Sequence, residues 1–183
     1  MKKTKNKNYL LKLVYTAFLS ALSVALNAVE INIVIAKITF SYIPIFLAGS
    51  LLGPISGILV GFIGDSLGFL LSPQGIYYPV FTISSALMGL IVGIVFKYTN
   101  LKETVKIVAS FILIFLICTI SINSTAIYYL YIAGSKAFDV YLLSRLATQA
   151  PILIVNTLLA ITIYYPLKYK VLPLTGYKGI IKV

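Results

Sequence analysis

Two apolar segments within residues 52–93 constrain this chain more than any other stretch. They read LGPISGILVGFIGDSLGFLL and PVFTISSALMGLIVG, with a short polar loop, 72–78, between them. Segments of this length and apolarity suit membrane helices, which satisfy their own backbone hydrogen bonds. The first carries Gly57, Gly61, Gly64 and Gly68, and the second carries Ser85, Gly89 and Gly93. Small residues at this spacing let two helices bring their backbones close. At roughly 100° per residue the four glycines share one flank, with Asp65 at its edge. A carboxylate there is expensive unless it faces a polar cavity or a partner. The expectation is a tight helix pair with a carboxylate along its seam, beside an aromatic loop: an arrangement suited to a small-molecule site.

The rest of the chain has the same character. It is 60% hydrophobic and 10% charged, with a mean hydropathy of +1.03, a balance that belongs to the membrane class. At about 20 residues per span, 183 residues allow about six spans. The expected fold is all-α, a bundle of six transmembrane helices in a single integral membrane domain over 1–183. The helices are expected over 9–29, 40–52, 55–71, 79–97, 104–131 and 142–165. The first is read as a retained helix rather than a cleaved signal. Residues 30–39 are expected as a loop or re-entrant segment, Gly53-Pro54 as a break, and Pro166 and Lys168 as the end of the last helix.

Net charge is +11, from 15 Lys+Arg against 4 Asp+Glu. The basic residues cluster at expected helix ends, so they report topology rather than nucleic-acid binding. Lys2, Lys3, Lys5, Lys7, Lys12, Lys97, Lys102, Lys106, Lys168, Lys170, Lys178 and Lys182 fall on one side. Only Lys37, Lys136 and Arg145 fall on the other. This split places both termini in the cytoplasm and the loops 30–39, 72–78 and 132–141 outside.

Enzyme chemistry finds little support. There is no His, and Cys118 is the only cysteine, which removes Ser-His-Asp catalysis, a disulfide framework and a cysteine metal cluster. No G-x-x-x-x-G-K-[ST] loop is present, so the chain is not itself an ATPase. No inverted repeat marks a self-sufficient secondary transporter. The reading is a non-enzyme with no catalytic residues, metal or cofactor.

The candidate binding residues are polar groups in apolar surroundings. Arg145, the only arginine, projects within roughly 40° of Gln149 and Asn156 on a helix. A guanidinium suits a carboxylate or a planar ring, though it also snorkels to headgroups. Asp65 is either a ligand contact or a structural partner for Arg145 or Lys37. Gln74, Tyr77 and Tyr78 read as a gate over the pocket or as an interfacial aromatic belt. Phe81 offers an aromatic face, and Asn123 lies in the polar half of the fifth expected helix. Ala17, Ala21 and Ala25 form a stripe that suits either internal packing or docking of a partner helix. Two function classes remain open: a ligand-capturing membrane subunit dependent on partners, or a structural membrane protein.

Several motifs resemble one family. Lys37-Ile38-Thr39-Phe40-Ser41-Tyr42-Ile43-Pro44-Ile45 is similar to K-I-S-F-x-x-I-P-I of the S components of energy-coupling factor (ECF) vitamin transporters. Leu47-Ala48-Gly49 with Leu52-Gly53-Pro54 resembles their L-A-G-x-L-x-G-P. Asp65-Ser66-Leu67-Gly68 with Pro73-Gln74-Gly75 resembles D-x-x-G…P-x-G, and the segment from Pro79 to Gly89 resembles P-G-F-T-L-S-A-x-L-x-G. The likeness covers roughly 9–97 by motif and the remainder by helix pattern, and is nearest to the folate type. Two departures stand out: Asn27-Ala28 where folate types often carry an arginine, and Val80 in place of glycine. S components for pantothenate or hydroxymethylpyrimidine share much of the pattern.

The resemblance implies a bacterial plasma-membrane protein that captures a folate-like vitamin at the outer face. It implies docking through Ala17, Ala21 and Ala25 onto a transmembrane coupling subunit with two cytoplasmic ATPases. Reorientation in the bilayer would then release the vitamin inside.

Overall fold

A computed structural model of the chain describes residues 2–28, 31–33, 36–38, 40–73, 77–132 and 137–175. These form six helices and one small hairpin. The helices are α1 (Lys2–Ala28), α2 (Tyr42–Leu52), α3 (Pro54–Leu71), α4 (Pro79–Tyr98), α5 (Glu103–Ile132) and α6 (Phe138–Leu174). Five are long and apolar enough to cross a membrane. The sixth, α2, has six α-helical residues followed by five π-helical ones. Its rise of about 16 Å covers about half of a 30 Å hydrocarbon core.

Between α1 and α2, the segment expected as a loop contains two antiparallel strands, β1 (Ile31–Ile33) and β2 (Ala36–Ile38), with Ile31 opposite Ile38. Ile31 and Ile33 alternate with Asn32, the two-residue period of a strand.

α3 packs most extensively against α4 and α1. Its glycines divide between these neighbours. A Cβ on Gly57 or Gly61 would collide with the backbone of Gly89 or Ser85 in α4. A Cβ on Gly64 or Gly68 would collide with the Ser23 or Asn27 side chain of α1. The expected two-helix seam is thus a three-helix seam. Glycine spacing defines a face, and the height along that face decides which neighbour reaches it. The Asn27 amide adds a 3.2 Å hydrogen bond to the Gly64 carbonyl. Gly53, with φ of 100°, makes the break between α2 and α3, and Pro54 opens α3.

Aromatic rings from four helices pack together in the core. Phe46, Phe96, Phe111 and Tyr164 come from α2, α4, α5 and α6, with centroids 5.3–6.0 Å apart along their contacts. All four are buried.

Pro166 does not end α6. The helix widens to a π-helical stretch over Leu167–Val171 and continues. A wider turn can absorb the hydrogen bond and the space that an interior proline disrupts. The next residues then anchor: Lys168 is buried, donates to Glu103 Oε1 at the start of α5, and lies 4.9 Å from the Tyr169 ring centroid. The expected helix-ending lysine is an internal tie between α5 and α6.

Candidate ligand-binding site

The ends of α1, α3 and α5 and the starts of α2, α4 and α6 enclose a cavity of about 390 Å³. Seven of the eight residues expected at a binding site fall within the described residues, and all seven line it: Asp65, Tyr77, Tyr78, Phe81, Asn123, Arg145 and Gln149. Gln74 lies outside the described residues.

Asp65 projects from α3 where α4 passes. Two α4 hydroxyls meet its two oxygens: Thr82 donates to Oδ2 at 2.6 Å and Ser85 to Oδ1 at 3.4 Å. Tyr77 reaches Thr82 Oγ1 at 2.9 Å. Its ring rests on Phe69, 5.2 Å between centroids, and Phe69 lies one turn beyond Asp65. Tyr78 meets Phe81 edge to face at 6.0 Å. The aromatic faces therefore stand beside the carboxylate, as favourable ring geometry allows.

Arg145 lines the same cavity from α6. Among the described residues it makes no ion pair with Asp65; the Lys37 side chain, the other structural partner that the sequence offered for that carboxylate, lies outside the described residues. Its Nε donates to Ser124 Oγ at 3.4 Å, and Ser124 passes its own hydrogen to the Thr119 carbonyl at 2.8 Å. The Asn123 amide oxygen, beside it on α5, has no hydrogen-bond partner among the described residues. The cavity thus presents a held carboxylate and a guanidinium, with aromatic rings near the carboxylate.

Gln149 borders a second, smaller chamber of about 30 Å³ between α5 and α6, which Tyr42 also borders. Asn156 lines this chamber, is 3% exposed, and leaves its amide oxygen without a partner among the described residues. The Arg145–Gln149–Asn156 stripe therefore faces the bundle interior, as polar groups on a membrane helix should.

Sequence reasoning missed Asn27, Tyr42, Phe69, Thr82 and Ser85. Phe69, four residues after Asp65, was reachable by helical spacing. Thr82 and Ser85 sit three apart on α4 facing Asp65, but a hydroxyl in an apolar helix often bonds its own backbone and gives no signal. Ala17, Ala21 and Ala25 are exposed on α1, and the opposite face, with Thr16, Leu19, Ser20 and Ser23, is buried.

A bundle of apolar helices whose described residues line a polar cavity at one end suits the capture of a small molecule. The family described as "ECF transporter, substrate-specific component" matches residues 11–164. The folate transporter FolT of Clostridium novyi (strain NT) is 33% identical over 140 residues, 75% of this chain and 78% of that protein. The crystal structure of FolT bound with folic acid superposes with a TM-score of 0.72, covering 86% of this chain and 93% of that one at 21% identity, a likeness of fold. The chain belongs to the substrate-specific components of ECF transporters. It is the substrate-binding membrane component of a transporter and not an enzyme.

Proposed function

We propose that this substrate-specific component captures folate. One observation carries the reading: a cavity of about 390 Å³ sets the Asp65 carboxylate, flanked by Tyr77, Tyr78 and Phe81, together with the Arg145 guanidinium. A folate has a flat ring with hydrogen-bond donors on its edge and a tail ending in carboxylates. Its ring edge suits Asp65, its ring faces suit the aromatic side chains, and its tail suits Arg145. The FolT relatives support this assignment. Titration of folic acid into the purified protein by calorimetry tests it, with mass spectrometry of any co-purifying molecule. Absence of binding, or recovery of a different vitamin such as pantothenate or a pyrimidine precursor, overturns it.

The same reading takes the chain as one integral domain in a bacterial plasma membrane, with both termini in the cytoplasm and the cavity facing out. It delivers ligand in partnership with a transmembrane coupling subunit and two cytoplasmic ATPases. The exposed Ala17, Ala21 and Ala25 face supplies a smooth docking surface. A cysteine placed at Lys102 should resist an impermeant thiol reagent in intact cells, while one at Ala137 should react. The reverse labelling pattern overturns the orientation.

A further inference from the structure

Ser124 of α5 is 0% exposed and does not line the cavity. Its surroundings fix the direction of its hydroxyl. α5 is π-helical over Phe115–Asn123, so hydrogen bonds there reach five residues back instead of four. The Thr119 carbonyl accepts from the Ser124 backbone N–H and, at 2.8 Å, from the Ser124 hydroxyl. A hydroxyl carries one hydrogen, so Ser124 Oγ has only lone pairs left to offer. Those lone pairs meet Arg145 Nε at 3.4 Å. A guanidinium donates and never accepts, so the two groups match in this sense alone. In an ordinary α-helical turn the hydroxyl would bond a carbonyl three or four residues back, and its lone pairs would point elsewhere.

We infer that Ser124 is a positioning residue: it holds Arg145 by Nε and turns the two Nη groups toward the cavity as a fork for a ligand carboxylate. The inference rests on the folate reading given above and adds how the tail is gripped. A guanidinium has two kinds of edge that can take a carboxylate by two parallel bonds, Nε with one Nη or the Nη pair. Ser124 occupies Nε. Arg145 lines the cavity while Ser124 lies behind its wall, so Nε faces the protein and the Nη pair remains for the ligand. Ser124 is the side-chain partner of Arg145 among the described residues, and neither Nη bonds there. The guanidinium is planar, so holding one nitrogen restricts where the other two can point. A carboxylate offers two oxygens to such a fork. A carboxamide of the same size offers one oxygen and sets its own N–H groups against the guanidinium. The arrangement therefore selects an ionised tail over a neutral one.

Calorimetric titration in detergent tests this, with folic acid and its tail diamide, in which both carboxylates are carboxamides, as probes. The proteins are the unaltered chain, Ser124→Ala, Arg145→Met and the double variant. The alanine variant keeps the backbone bond to the Thr119 carbonyl, so the turn stays closed. Methionine approximates the reach of arginine and has no N–H. Ser124→Ala should weaken folic acid binding roughly fivefold or more, and diamide binding less than twofold. With Arg145 already methionine, Ser124→Ala should add less than twofold to the folic acid loss, the signature of two groups acting in series. The double variant thus reads the coupling with folic acid alone.

Ser124→Cys keeps a side chain of similar size with a weakly accepting sulfur, and should show the same selective loss. Equal losses for the two probes would make Ser124 a packing residue and overturn the inference alone. So would undiminished folic acid binding in the folded Ser124 variants, or a Ser124→Ala loss that persists in full beside Arg145→Met. No folic acid binding by the unaltered chain would overturn the folate reading and the inference with it.

Discussion

Gly57 of α3 and Gly89 of α4 meet backbone against backbone, each occupying the space that a Cβ on the other would need. The contact has no flexible side chain to move aside. Gly57→Ala or Gly89→Ala should therefore force the helices apart, at a cost of about 3 kcal/mol, the upper range for overpacking a core. Leu59, 43% exposed on α3, has room to change. Thermal unfolding in detergent should show a marked drop for either glycine variant and little change for Leu59→Ala. Equal melting temperatures for all three would mean that the seam yields.

The two charges of the cavity should each matter to binding. Losing one partner of a charged, buried hydrogen bond costs roughly 2–5 kcal/mol, tens- to thousands-fold in affinity. Asp65→Asn and Arg145→Ala should each weaken folic acid binding at least tenfold in calorimetry. Unchanged affinity in both folded variants would move the site away from the wall of α3 and α6.

Lys168 should affect stability and not binding. Its side chain is 6% exposed and its Glu103 partner 25% exposed, at the end of the bundle away from the cavity. Removing one member of such a half-shielded pair should cost about 2 kcal/mol, below the range for a fully buried pair. Lys168→Ala should lower the melting temperature and leave folic acid affinity within twofold. A folded variant with lost affinity would show that the tie reaches the site.

Ala21→Leu should separate capture from delivery. The residue is exposed on α1, so a larger side chain fits the isolated protein but would hold a partner helix away. Ligand affinity should stay within twofold, and uptake by cells carrying the coupling module should be lost. Full uptake by this variant would mean that the alanine face is not the docking surface.

Asn156→Leu offers a test of the small chamber. Its amide oxygen has no partner among the described residues, and the side chain is nearly enclosed. An apolar residue of similar size removes an unsatisfied group, a change that is nearly neutral or stabilising when the shape is kept. The melting temperature should hold or rise. A clear fall would show that a bound water satisfies the amide.

Much of the site was legible because charge in an apolar helix is costly. Asp65 and Arg145 stood out for that reason, and Gln149 followed from sharing the Arg145 face. The aromatic residues 77, 78 and 81 were legible because they flank a loop between two glycine-rich helices. Thr82 and Ser85 were not, since membrane helices carry many hydroxyls and only the contact to Asp65 distinguishes these two. The partition of Gly64 and Gly68 to α1 was hidden for a related reason: spacing along one helix says nothing about which neighbour arrives at each height. The end of α6 was misread because Pro166 usually stops a helix, whereas a π-helical stretch and the Lys168 tie carry this one past it.

The four packed rings of Phe46, Phe96, Phe111 and Tyr164 close the bundle beneath the cavity. Rings packed this closely leave little room for ions or water to pass between them. Under the capture role proposed above, a ligand held in the cavity would leave by the mouth through which it entered, and the bilayer would stay sealed beneath it.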